Sequence, residues 1–245
     1  MNVRSMAPIG LVGGMTWHSS AQYYRLLNER GEALRGPRST PESMVVTLDF
    51  APLFQMAVAG DWPSIADRLA GAIASLAAAG AGQVALTAMT AHRVFAEIAA
   101  TTSLPCIHIL DPVGRLLQQR GIRHIGVLAT SFAANQKFID SRLEPAGVTG
   151  VLRPDAADQA IVDAIIENEL ACGRVTSAAR RTIDGVAANL RRRGADALLL
   201  ACTELPMLYR CNDMPDDMVD VVMLHVDALL LPAESAPCLT SQSKP

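Results

Sequence analysis

Short apolar runs recur along the chain. Between them lie longer stretches in which apolar positions fall three and four residues apart. The short runs predict strands at 8–12, 43–49, 84–87, 106–109, 124–128, 150–152 and 197–201, with a further short one at 219–223. The longer stretches predict amphipathic helices at 64–79, 93–100, 113–120, 133–143, 159–171 and 176–193. Strands alternating with helices argue for βαβ units and parallel sheets.

The pattern occurs twice. "PIGLVGGMT" at 8–16 parallels "HIGVLATSF" at 124–132, an offset of 116. "LAAAGAGQVALTAM" at 76–89 parallels "LRRRGADALLLACT" at 190–203, an offset of 114. In the second pair a helix ends at a glycine, Gly80 or Gly194, a natural residue just past a helix end, and a buried strand follows at once. Two separate pairs with similar offsets imply a duplicated unit of roughly 110–120 residues, within the usual range for a domain. The expected fold is α/β: two pseudo-symmetric Rossmann-like lobes with parallel sheets and an active-site cleft between them, where ligands of open α/β sheets bind. The expected division is 1–107 plus 219–232 for the first lobe and 108–218 for the second. Residues 233–245, polar and proline-containing, are expected to form a flexible tail.

Composition narrows the function. Of 245 residues half are hydrophobic and 18% charged, with a formal net charge of −3. The one basic block, Arg191 to Arg193, closes a predicted helix, where cations meet the helix dipole, so no nucleic-acid partner is expected. No uncharged apolar run of 18 residues exists, so no membrane span is expected. The opening residues lead into a glycine turn rather than a signal-peptide cleavage site. The five cysteines are odd in number and widely spaced, with no CxxC and no zinc spacing, which fits reduced thiols in the cytoplasm and no metal.

Three places carry candidate chemistry. The turn at 10–20, GLVGGMTWHSS, follows a strand and opens a helix. Its glycines do not fit GxGxxG, so a dinucleotide site is a weak reading. Gly13 and Gly14 permit a tight turn, and Thr16, Ser19 and Ser20 offer caps and hydroxyls, suited either to a small carboxylate or to an ordinary capped helix. Cys202 ends the strand of "LLLACTELPML". A lone cysteine is usually a small buried hydrophobe, but Thr203 and Glu204 follow, so the strand leaves the core at the thiol. The matching position in the first half is Ala88, flanked by Thr87, Met89, Thr90 and His92. Thr87 and Thr90 are also local caps, and His92 is also a solvent-exposed or hydrogen-bonded helical histidine. His108 and His225 are apolar-flanked, as satisfied core histidines are. Cys106, Cys172, Cys211 and Cys238 read as structural, with Cys106 buried in a strand.

From about Ile9 to Leu230 the chain resembles the cofactor-independent aspartate/glutamate racemases. The stretches that carry the resemblance are "IGLVGGMTWHSSAQYYRLLNE", "LDF", "TAMTAH", "LPCIHILD", "IGVLAT" and "ACTELPML", with Asp220 and His225 near the end. The resemblance implies proton removal on one face of the substrate and return on the other, without pyridoxal phosphate or any other cofactor. It puts one thiol at Cys202. The opposing base, Cys or Thr in the family, falls at Ala88; the Asn after it falls at Met89, and a Thr near the last strand falls at Val221. Alanine cannot move a proton, so two-base transfer is not expected to run unchanged. The expected catalytic set is Cys202 with Thr87, Thr90 and His92. Met15, Thr16, Ala88, Met89, Thr130, Thr203, Glu204 and His225 are expected to hold the substrate. The expected activity is racemase-like, on a small amino acid or related carboxylate of the aspartate/glutamate type, in a homodimer. A single-cysteine decarboxylase or isomerase, and an inactive carboxylate-binding paralogue, are the alternatives. Met89 and Val221 replace polar groups, which hints at a less polar substrate.

Overall fold

The computed structural model describes residues 7–134, 137–209 and 213–231. Cys211, Cys238 and the expected tail lie outside them. The chain runs β1 (Ile9–Gly13), α1 (Trp17–Arg35), β2 (Ser43–Thr47), α2 (Phe50–Ala59), α3 (Trp62–Ala78), β3 (Gln83–Leu86), a 3-10 turn (Met89–Val94), α4 (Phe95–Ala99) and α5 (Leu110–Arg120). It continues with β4 (His124–Leu128), α6 (Ser131–Ala134), α7 (Lys137–Leu143), β5 (Gly150–Leu152), α8 (Ala156–Asn168), α9 (Ser177–Arg192), β6 (Ala197–Leu200), β7 (Met218–Asp220) and α10 (Val221–Leu230). All strand pairs are parallel, in two sheets ordered β2-β1-β3 and β5-β4-β6-β7.

The two sheets repeat one plan. Val12 pairs with Leu86 in the first and Leu128 with Leu200 in the second, the same two offsets as in the sequence. The covering helices match residue for residue. The buried stripe of α3 is Ile65, Leu69, Ala72, Ile73 and Leu76; that of α9 is Ala179, Ile183, Val186, Ala187 and Leu190. Each pair differs by 114. Both stripes follow the three-and-four spacing that puts apolar side chains on one helical face. Both helices end alike. The Gly80 and Gly194 amides bond to Ala77 and Arg191, and the Ala81 and Ala195 amides to Leu76 and Leu190. This double closure is the Schellman arrangement, and it needs positive φ at the glycine, here 95° and 99°.

Strands β1, β3, β4 and β6 are buried on both faces, which explains their continuous apolar runs, while the edge strand β2 is partly exposed. Val12, Val84 and Leu86 pack under α3, and Leu198 and Leu200 under α8 and α9. The opposite faces, with Leu11, Ala85, Val127 and Leu199, share a central core with α1, α5, α7 and α10. Four expectations need correction. The strand at 106–109 shrinks to one parallel bridge, Cys106 to Val84, and Cys106 is half-buried rather than buried. The strand at 219–223 stops at Asp220, whose carboxylate accepts the Val222 and Met223 amides and starts α10. Val219 and Asp220 pair with β6 and so belong to the second sheet, not the first lobe. Helix α2 was not expected at all.

Candidate active site

The C-terminal ends of β1, β3, β4 and β6 open on one cavity of about 360 Å³. Nine of the twelve expected residues line it: Met15, Thr16, Ala88, Met89, Thr90, Thr130, Cys202, Thr203 and Glu204. Ala88 comes from the first half and Cys202 from the second, two residues past the ends of β3 and β6. The duplication therefore brings matching strand ends to one space.

Three expected residues do not line the cavity. Thr87 is buried, and its hydroxyl bonds to the Val12 carbonyl at 3.2 Å and to Ser20 at 3.1 Å. His225 is fully buried, takes the Tyr23 hydroxyl at Nδ1 (2.8 Å) and donates from Nε2 to the Ile107 carbonyl (3.0 Å). His92 is buried rather than exposed and donates from Nδ1 to the Ala88 carbonyl at 2.9 Å. Its Nε2 has no partner. His92 thus fixes the backbone of Ala88 from behind. It stands edge-on to His108 and His225, with ring centres 4.8 and 5.7 Å away. Burial, then the neighbouring imidazoles, hold His92 well below the ordinary histidine range. Burial chiefly lowers His108 to about 3 and His225 to about 4. All three are neutral at neutral pH.

Glu204 is the centre of the polar part of the site. Its Oε2 accepts the Cys202 thiol at 2.9 Å and the Thr203 hydroxyl at 2.6 Å. Its Oε1 accepts from Thr16 and Ser19 at 3.4 Å each. Ser19 and Thr203 hydroxyls are 2.5 Å apart. The network ties the start of α1 to the end of β6. Thr16 joins it from a strained backbone, φ 136°, costly for a β-branched residue by roughly 1–3 kcal/mol. Gly14 allows this turn to press against the chain at Leu48: a Cβ there would lie 2.3 Å from the Leu48 carbonyl oxygen. Burial, reinforced by the Glu204 charge, pushes the Cys202 thiol well above its ordinary value. The resting thiol is therefore protonated.

Of the hydroxyls expected to hold the substrate, not all are available. Thr16 and Thr203 are engaged with Glu204, and the Ser131 amide already donates to Asp163 at 2.7 Å. Two hydroxyls remain available as donors. Thr130 accepts a long bond from the Ala133 amide (3.4 Å), and Thr90 makes only a 3.9 Å contact to the Met15 sulfur. The sequence reading missed several residues of the wall, among them Phe50 and Phe54 of α2, Phe132 of α6, and Ile166 and Glu167 of α8. The i, i+4 phenylalanines that begin with the last residue of "LDF" were the available signal.

The chain matches the family model described as Asp/Glu/Hydantoin racemase over residues 12–229. It is similar to the crystal structure of a candidate Asp/Glu racemase from Yersinia pestis, at 32% identity and TM-score 0.81, covering 92% of this chain and 98% of that one. An aspartate racemase homologue from Pyrococcus horikoshii OT3 matches at 27% identity and TM-score 0.81, over 92% and 98%. Picrophilus torridus aspartate racemase, at 21% identity and TM-score 0.72 over 94% of each chain, shares the fold.

Proposed function

The chain belongs to the Asp/Glu/hydantoin racemase family, and from that premise we propose an isomerase that moves a proton at the α-carbon of an amino acid or related carboxylate with Cys202 as its one thiol. The observation that carries this is the Cys202–Glu204 hydrogen bond on the wall of the cavity that Ala88 lines from the other half. Glu204 takes the Sγ proton. The thiolate then removes the α-proton, and the electron pair delocalises into the substrate carboxylate. Thr90 and Thr130 hydroxyls are placed to donate to that carboxylate as its charge grows. The thiol returns a proton to the same face. Ala88 offers none to the other, so exchange with solvent outruns inversion. The free thiols Cys106, Cys172 and Cys202 support a cytoplasmic setting.

The protonated resting thiol favours one other reading. A C–COO⁻ bond of a malonate-type substrate breaks, CO₂ leaves, and Cys202 protonates the remaining carbanion on one face. The thiolate regains its proton from solvent through Glu204.

Both readings are tested in D₂O by NMR of the α-position and chiral chromatography. Deuterium should enter one enantiomer with retained configuration, and Cys202→Ala should abolish it. Ala88→Cys restores a second thiol and should raise inversion by ~10²–10⁴-fold, the usual contribution of a positioned acid or base. CO₂ release from an arylmalonate without exchange of amino acids would select the second reading. Racemisation that persists at full rate in Cys202→Ala would make the thiol structural.

A further inference from the structure

We infer that the cavity is built for a substrate with one carboxylate and an apolar or aromatic side chain, not for the dicarboxylates aspartate and glutamate. This rests on the proton-transfer reading of the same site. A second carboxylate needs a counter-charge or a set of donors once it leaves water. Among the described residues lining the cavity there is no Lys, Arg or His, and the two charged side chains are both acids, Glu167 and Glu204. Glu204 is buried and already accepts four hydrogen bonds. The cavity therefore repels a second anion instead of pairing with it. Arg93 lies with its guanidinium 4.2 Å over the Trp62 ring and is not part of the lining.

The rest of the wall favours apolar groups. Phe50, Phe54 and Phe132 line the cavity while 42%, 52% and 37% exposed, so an apolar ligand would cover surface that now faces water. Their positions are held. Phe50 and Phe54 lie ring to ring at 5.6 Å, one helical turn apart. Phe132, from the second half, stacks on Trp62 of the first at 6.1 Å. Ile166 completes the wall. The two available hydroxyls, Thr90 and Thr130, suffice for one carboxylate, and among the described lining residues the other hydroxyls, of Thr16, Ser19 and Thr203, are engaged around Glu204.

The test uses two measurements. Exchange of α-hydrogen in D₂O is compared for both enantiomers of phenylalanine and phenylglycine against aspartate and glutamate. Binding of the same compounds is measured by calorimetry with Cys202→Ala, which keeps the wall but cannot exchange. The aromatic acids should lead in both by at least ~10-fold, the discrimination an apolar pocket commonly gives. Phe54→Arg, at an exposed position that should tolerate it, should move the binding ratio toward glutamate by a similar factor. Aromatic preference in binding without any exchange would sink the proton-transfer reading and leave this one standing. Preference for aspartate or glutamate, binding of neither class at millimolar concentration, or a ratio unmoved by Phe54→Arg would overturn it.

Discussion

Burial and the Glu204 carboxylate together keep Cys202 protonated. The thiol is pushed up by burial first and by the Glu204 charge second. Glu204→Gln keeps the shape and removes the charge. It should lower the pH at which Cys202 becomes alkylated, read by mass spectrometry of the Cys202 peptide against pH. It should also slow exchange by ~10²–10⁴-fold if Glu204 relays the proton. An alkylation profile that does not move would remove Glu204 from the account. The substitution also disturbs Thr16, Ser19 and Thr203, so a stability loss of about 1–3 kcal/mol is expected from the imperfectly satisfied group. The sequence placed Cys202 and Glu204 side by side but could not show that the carboxylate turns back onto the thiol. That depends on the turn between β6 and the 3-10 helix Leu205–Leu208. Thr87, His92 and His225 were misplaced for a related reason. Their spacing from Ala88 and Asp220 was visible. Which way Thr87 and His225 face was set by neighbours distant in sequence, Ser20, Tyr23 and Ile107, and His92, bonded locally to Ala88, packs against the distant His108 and His225.

At the level of elements, what was legible is what repeats. Strands buried on both faces announce themselves as apolar runs, and the α3 and α9 stripes share one spacing, so the duplication could be read directly. The Schellman ends at Gly80 and Gly194 make this testable. Gly80→Ala and Gly194→Ala each force a Cβ into left-handed backbone, at roughly 1–2 kcal/mol. No atom lies within 4 Å of the added Cβ at either glycine, so the two losses should be similar. Each should lower Tm by a few degrees in a chain this size. A large difference between them would mean that the halves are not equivalent at this point. Elements without a repeat partner were the hard ones. Helix α2 has exposed Phe50, Phe54 and Val58 beside buried Leu53 and Ala57, so no clean amphipathic pattern marks it. The extension near Cys106 makes one bridge only. It sits next to β3 where β7 sits next to β6, a fourth strand position that the first half barely fills.

The whole molecule is joined through its central core, and three histidines are buried there, with the Asp111 carboxylate acting only weakly on one of them, His225. His92, His108 and His225 come from the 3-10 turn after β3, the segment before α5, and α10. The groups facing them are Tyr23, Phe95, Phe138, Arg142 and Asp111 together with each other. Two of these carry charge: Arg142 opposes protonation of His108, while Asp111 favours protonation of His225 only weakly and is outweighed by burial. Burial holds His108 at about 3 and His225 at about 4 and keeps His92 well below the ordinary range, whereas unfolded histidines take protons near 6.5. Below 6.5 the unfolded chain therefore binds more protons, and stability falls with falling pH. Asp220 works the other way. Burial raises it to about 6, so between about 6 and 4 the folded state holds a proton that the unfolded one has lost. Three histidines against one aspartate leave a net uptake of about two protons on unfolding, each worth about 1.4 kcal/mol per pH unit. Urea unfolding at pH 7.5, 6 and 5 should show stability constant above neutrality and falling steeply below it. His92→Phe, which loses one bond and one buried unpartnered nitrogen, should flatten the fall by about one proton. A stability that is level or rises from pH 7 to 5 would mean that the core admits the charge, and that the two halves are less tightly joined around these rings than their packing implies.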